Sequence, residues 1–210
     1  MKIKILSLGA LQTNCYIFGN DGKCAVIDPA ACAAEIHSAA QEMGMTIEKI
    51  LLTHSHFDHF EALEELYNMT GAQVMVSVHD SSGLKNPQLN LSSSFGFTPL
   101  TFNDKVTEIA EGDIISVGNK NLTVMSTPGH TPGSVCFISE ENKIIFSGDT
   151  VFCGSIGRTD FPGGNFDAII DSLKRVLTLD GNYKIFPGHG CSTTVETEQR
   201  SNPYYRQNSY

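Results

Sequence analysis

Short apolar runs broken by Gly, Pro, Asn and Asp mark out most of this chain. Met1-Lys2-Ile3-Lys4-Ile5 alternates charged and apolar side chains, the period of a half-buried strand. That run and two more predict strands over 2–8, 15–19 and 24–28, bounded by Gly9, by Asn20-Asp21-Gly22 and by Pro29. The Asn20-Asp21-Gly22 turn makes the last two a hairpin. A helix is expected over 33–43, closed by Gly44. A strand over 47–52 follows. Then comes a helix with Phe60, Leu63, Leu66 and Tyr67 on one face, stopped near Gly71, and a strand over 73–78.

Residues 80–105 break the rhythm. Ser, Asn, Gly and Pro dominate, interrupted by Leu89, Leu91, Phe95, Phe97, Leu100 and Phe102. Such a stretch is either a lid or binding wall, or an irregular excursion packed on its own apolar cluster. Strands are expected again near 106–109, 113–117, 121–126, 134–139 and 143–147. A helix over 166–179 carries Ala168, Ile169, Leu173, Val176 and Leu177 on its apolar side. A strand over 183–186 and a tail helix over 194–201 complete the pattern. Each half reads as strands followed by strand–helix pairs. The expected fold is therefore α/β: two sheets face to face with helices outside, a four-layer αββα sandwich. No linker or composition break divides residues 1–210, so one domain with a shared core is expected.

Composition narrows the function classes. Apolar residues make up 40% and charged residues 18%, enough for an ordinary core. A net charge of -9 argues against a nucleic-acid surface, which needs clustered Lys and Arg. A small anionic substrate stays open, because a bound metal supplies local positive charge. No apolar run approaches the roughly twenty residues that span a bilayer, and the N-terminus lacks a signal-peptide pattern. The expectation is a cytoplasmic protein acting on a small molecule without a membrane, its oligomeric state open. The six cysteines form no Cys-x-x-Cys pair, so they are read as mostly small buried apolar residues.

The chemistry concentrates at His54-Ser55-His56-Phe57-Asp58-His59, between a strand and a helix. Three imidazoles and a carboxylate in six positions have the density of a metal-ligand cluster. Residues two apart in extended chain point the same way, so His54 and His56 can face one ion, while Asp58 and His59 face a neighbour. Three more candidates stand just past strands in glycine-containing turns: His130 in Thr127-Pro128-Gly129-His130, Asp149 in Ser147-Gly148-Asp149, and His189 in Pro187-Gly188-His189-Gly190. One ion would leave several of these seven in excess. Two ions use them all, with His54, His56 and His130 at one, Asp58, His59 and His189 at the other, and Asp149 bridging. Mixed nitrogen and oxygen donors suit two divalent ions, zinc first, with iron or manganese as alternatives. His37 and His79 lack this context and are read as surface or core residues.

Thr53-His54-x-His56-x-Asp58-His59 followed by a distant His, Asp and His resembles the metallo-β-lactamase superfamily in order at every position. Thr13-Asn14-Cys15-Tyr16 and Val26-Ile27-Asp28-Pro29 resemble its opening strands. The stretch Gly154-Ser155-Ile156-Gly157-Arg158-Thr159-Asp160-Phe161-Pro162-Gly163-Gly164 is similar to its short glyoxalase II-type branch. Two departures stand out: Phe60-Glu61-Ala62 replaces a usual glycine after the Asp-His pair, and the chain ends without the helical extension that helps hold glutathione.

The resemblance implies a hydrolase of a thioester such as S-lactoylglutathione, hydroxyacylglutathione hydrolase-like, with a metal-bridged hydroxide as nucleophile and Asp58 orienting it. Asp28 is a candidate partner for a ligand imidazole, or a cap on the turn at Pro29. Arg158 and Asp160 are expected to pair and fix the loop after Asp149. Cys153 and Cys191, with no partner base, are given no nucleophilic role. Two alternatives stand: a mononuclear iron persulfide dioxygenase, and a non-catalytic metal-binding module. A β-lactamase is disfavoured, because the common enzymes of that type place Cys where Asp149 stands.

Overall fold

The computed structural model describes residues 1–94 and 98–207. Among them, two six-stranded sheets face each other. The first runs, edge to edge, through β1 (Lys2–Leu8), β2 (Thr13–Asn20), β3 (Lys23–Ile27), β4 (Thr46–Leu51), β5 (Gln73–Ser77) and β6 (Thr107–Ile109). β1 to β3 pair antiparallel and β3 to β6 parallel. The second sheet, in chain order, contains β7 (Ile114–Val117), β8 (Lys120–Ser126), β9 (Val135–Ser139), β10 (Ile144–Gly148), β13 (Lys184–Pro187) and β14 (Thr193–Thr194), reached through a small hairpin of β11 (Val151–Phe152) and β12 (Ser155–Ile156). Its spatial order is β14-β13-β10-β9-β8-β7, parallel only between β10 and β13.

Alternation along the strands builds three cores from two sheets. On β2, Cys15 and Ile17 point outward to α1 (Ala33–Glu42) and α2 (Leu63–Thr70), while Tyr16 and Phe18 point inward. On β9, Val135 and Phe137 point inward, whereas Cys136 and Ile138 meet α3 (Phe166–Val176). The inward faces interdigitate through Tyr16, Phe18, Phe146 and Phe186, with Phe18 and Phe146 edge to face at 5.6 Å. Three apolar interfaces separate four layers, which is the expected αββα sandwich.

Most expected elements lie within two residues of their observed bounds. Three differ. Phe60 stands ahead of α2, because Phe57–His59 form a single tight 3-10 turn before the helix begins. The β11–β12 hairpin was not anticipated; two-residue strands carry too little alternation to read. The expected tail helix is α4 (Val195–Ser201), and an unanticipated short helix α5 (Pro203–Gln207) follows it as a separate element, because Pro203 supplies no N–H to continue α4.

The described part of 80–105 is a packed excursion. Leu84, Leu91 and Phe102 are buried in the first helix-side core. Buried Asn90 donates to the carbonyls of Gly83 and Leu100 and accepts from the Phe57 amide through its own carbonyl. Phe95 and Phe97 lie outside the described residues. Of the cysteines, Cys15, Cys24 and Cys136 are buried and Cys32, Cys153 and Cys191 exposed, so only half meet the expectation.

Candidate metal centre

The ligand-bearing turns leave the C-terminal ends of four strands, β4, β8, β10 and β13, at one rim of the sandwich. α3 braces the second turn: Asn165 caps the helix, its own amide donates to the Gly129 carbonyl, and Ser172 Oγ donates to the Pro128 carbonyl. Gly129 has φ +134°, and a side chain there would run into the backbone of Ile169.

All seven candidate ligands meet at that rim. His54, His56 and His130 form one group, Asp58, His59 and His189 a second, and His54, His59 and Asp149 a third between them. Within each group one donor atom per residue lies within 4.8 Å of the others. Asp149 touches both outer groups, with Oδ1 3.4 Å from His59 Nε2 and Oδ2 3.5 Å from His130 Nε2 and 3.6 Å from His189 Nε2. Gly188 is the floor of this arrangement: an added methyl would overlap Asp149 Oδ1 and stand 2.7 Å from His59 Cε1.

Hydrogen bonds outside the cluster fix which nitrogen each ring offers. His59 Nδ1 donates to Asp28 Oδ2 at 2.9 Å, His130 Nδ1 to the Arg158 carbonyl at 2.8 Å, and His189 Nδ1 to the Leu11 carbonyl at 3.2 Å. Thr53 Oγ1 donates to Asp28 Oδ2 at 2.7 Å, which leaves it to accept from His54 Nδ1 at 3.1 Å. Four rings are thus anchored through Nδ1 and turn Nε2 inward. His56 is reversed, its Nδ1 lying 2.9 Å from His130 Nε2.

Four buried atoms have no hydrogen-bond partner among the described residues: Nε2 of His54, His56 and His59, and Oδ1 of Asp149. Leaving such atoms bare costs about 1–3 kcal/mol each. Three of them belong to the residues of the central group, where a cation would satisfy them together. Nitrogen and carboxylate donors fit a borderline divalent ion.

The electrostatics divide the rings. Burial, then the neighbouring imidazoles, holds His54 well below the usual imidazole range, and burial with His130 lowers His56 to about 3. Burial works against charge on His59 too, but Asp58, Asp149 and Asp28 overcome it and raise its pKa well above that range. His189 is raised in the same way, against burial, by Asp58 and Asp149. Burial alone would push the carboxyls up; His59 and its neighbours instead hold Asp58 low and bring Asp149 to about 2.

Asp28 is fully engaged, accepting from the Thr53 amide at 2.8 Å as well as from Thr53 Oγ1 and His59. It therefore serves both His59 and, through Thr53, His54. Arg158 and Asp160 form the expected pair through two bonds of 2.7 and 2.6 Å, and the Arg158 carbonyl anchors His130. His37 is half-buried on α1 and His79 exposed; neither joins the cluster.

Asp80 was missed. Buried, it accepts from the Ser55 amide and Thr131 Oγ1, both at 2.9 Å, and from the Gly133 amide at 2.7 Å, tying the His54–His56 turn to the His130 turn. A lone acidic residue after a strand gives no sequence signal of that. The Thr13-Asn14-Cys15-Tyr16 run, read only as a likeness, also acquires work. Thr13 Oγ1 donates to Asp58 Oδ2, while Asn14 Nδ2 and Tyr16 Oη reach the Pro187 carbonyl beside His189.

The cluster floors a cavity of about 710 Å³ that opens between Leu11, Leu91, Phe152 and Phe161.

Comparison with known proteins supplies the remaining findings. The family profile described as the metallo-beta-lactamase superfamily matches residues 8–189. The chain is 34% identical to a Haemophilus influenzae protein described as hydroxyacylglutathione hydrolase GloC, over 100% of both chains. Among solved structures it resembles BLEG-1, described as a B3 metallo-beta-lactamase, with TM-score 0.92 and 32% identity over 97% of this chain and 99% of that one. It also resembles TTHA1623 in a di-iron-bound form, with TM-score 0.88 and 34% identity over 96% and 99%.

Proposed function

The chain belongs to the metallo-beta-lactamase superfamily, and from that premise we propose that it is a two-metal hydrolase of thioesters. The observation that carries this reading is that partnerless buried atoms occur in both outer groups, on His54 and His56 in one and His59 in the other, with Asp149 between them beneath an open cavity. His54, His56 and His130 would hold one ion, Asp58, His59 and His189 the other, and Asp149 would span both. Two bound divalent ions supply a water deprotonated near neutral pH and a Lewis acid for a carbonyl oxygen.

The chain's own residues do the rest. Thr13 fixes Asp58, which orients the attacking water. Asp28, directly and through Thr53, and the Arg158 carbonyl hold the rings of His59, His54 and His130 with Nε2 turned toward the centre. Apart from the candidate ligands, Arg158 is the one ionisable side chain among the described residues lining the cavity. Among the described residues lining the cavity none but the candidate ligands could protonate a poor leaving group, and a thiolate needs no such proton. The Haemophilus relative's description supports the same class. Likeness to BLEG-1 favours a second reading, β-lactam hydrolysis. The amine leaving group of a β-lactam, which needs a proton donor, stands against it.

The test is purification without added metal, elemental analysis, then turnover of S-lactoylglutathione and a chromogenic cephalosporin with and without chelator. Two metals per chain and reversible, chelator-sensitive thioester cleavage are expected. One iron with oxygen consumption on glutathione persulfide would replace hydrolysis by oxidation. Tight metal with no thioester or ester turned over would leave a binding module.

A further inference from the structure

Resting on the thioester reading above, the cavity walls point to the kind of group the substrate carries. Apart from the candidate ligands, the walls are Leu11, Phe57, Leu91, Phe152, Ile156 and Phe161, with Ser155 and Arg158. Glutathione brings two carboxylates, which need cations. Arg158 already gives two hydrogen bonds to Asp160 and lies 3.8 Å over the Phe161 ring, so its charge is matched and its face covered.

The apolar walls adjoin both groups of ligands. Phe161 meets His56 edge-on at 5.8 Å, and Phe152 meets His189 edge-on at 6.1 Å. Leu11 is 49% exposed at the mouth, yet its carbonyl accepts from His189 Nδ1, which holds it there. Together with Leu91, Phe152, Ile156 and Phe161 it makes the wall beside the ligands predominantly apolar, which suits an apolar group.

We infer that the substrate is a thioester bearing a bulky apolar group, aryl or branched alkyl, in place of the small hydroxyacyl or the charged glutathione arm. Water adds to the carbonyl carbon, the C–S bond breaks, and the products are a carboxylic acid and a free thiol. The apolar group can sit on the acyl side or the thiol side, and the test separates them.

Four substrates are compared with the metal-loaded full chain: lactoyl and phenylacetyl thioesters of glutathione, and the same two acyl groups on benzyl mercaptan. Replacing the polar arm on the recognised side is expected to raise kcat/KM at least tenfold, mainly through KM. Phe152→Ser and Phe161→Ser are then each assayed with all four. Ratios within a variant cancel any general loss, and the wall that contacts the apolar arm should lose most of its preference. S-lactoylglutathione equalling or beating every apolar thioester overturns the inference while leaving thioester hydrolysis standing. A preference unchanged in both variants overturns its assignment to these walls. Cleavage of none of the four overturns the hydrolase reading itself.

Discussion

Asp28→Asn tests the logic of the centre most directly. Asp28 accepts three hydrogen bonds at 2.7–2.9 Å, all buried. An Asn can keep its oxygen toward Thr53 Oγ1 and His59, but its NH₂ then faces the Thr53 amide, donor against donor. Turning it over saves the amide and loses the other two. The first orientation is cheaper and leaves one buried N–H bare, about 1–3 kcal/mol. At about 2–4 °C per kcal/mol for a chain of this size, Tm falls by roughly 2–12 °C. Asp28 has φ 53°, a conformation Asn tolerates, so backbone strain does not confound the result; Ala would add its own. Changing a carboxylate behind a ligand imidazole typically weakens metal binding about 10–100-fold. His59 feels the loss directly and His54 only through Thr53, so the ion at Asp58, His59 and His189 should weaken more. Thr53→Val is the complement, cutting the route to His54 and sparing the His59 bond. Chelator-competition titration with elemental analysis reads both affinities. Both sites within threefold of the parent protein, with an unchanged Tm, would refute this account of Asp28.

Three further outcomes follow from the geometry. Asp80→Ala leaves the Ser55 and Gly133 amides bare, so metal titration should show the His54/His56/His130 site weakened about tenfold or more with the other less affected. Gly188→Ala drives a methyl into Asp149 and His59, so metal content and activity should fall together while circular dichroism keeps both sheets. The chelated protein should be most stable near pH 6.5, read by urea denaturation from pH 5 to 9. Above that value the raised His59 and His189 still hold protons that the unfolded chain has lost, so stability falls as pH rises through their folded pKa values. Below it the lowered His54 and His56 refuse protons that the unfolded chain takes up, so stability falls toward acid. A curve rising steadily to pH 9 would contradict these directions.

The layers were legible because β2, β3, β9 and β10 are short unbroken apolar runs between turn residues, as strands buried on both faces should be, and their two faces feed different cores. The candidate cluster was legible because five imidazoles and two carboxylates share turns at strand ends. What supports the cluster was mostly not. Asp80 and Thr13 act across 45 or more residues through single hydrogen bonds, apart from Asp80's contact with Ser55, and no local periodicity encodes such partners. Asp28 could be raised only as one of two roles, because a carboxylate before Pro29 also suits a turn. The packing of 80–105 hid for a related reason: buried Asn90 replaces a regular ladder with side-chain bonds, and a polar residue reads as solvent-facing.

The two sheets contribute to the centre jointly: His54, His56, Asp58 and His59 leave the first, and His130, Asp149 and His189 leave the second. A chain emerging from the ribosome therefore displays its earliest histidines long before their last companion at position 189 is made. Until that residue arrives, the set formed with Asp58 and His59 lacks its last donor, while the other two groups already have theirs. Conversely, prising the halves apart disperses the donors while each sheet can still be intact, so escape of bound ions should precede loss of strand structure on gentle unfolding.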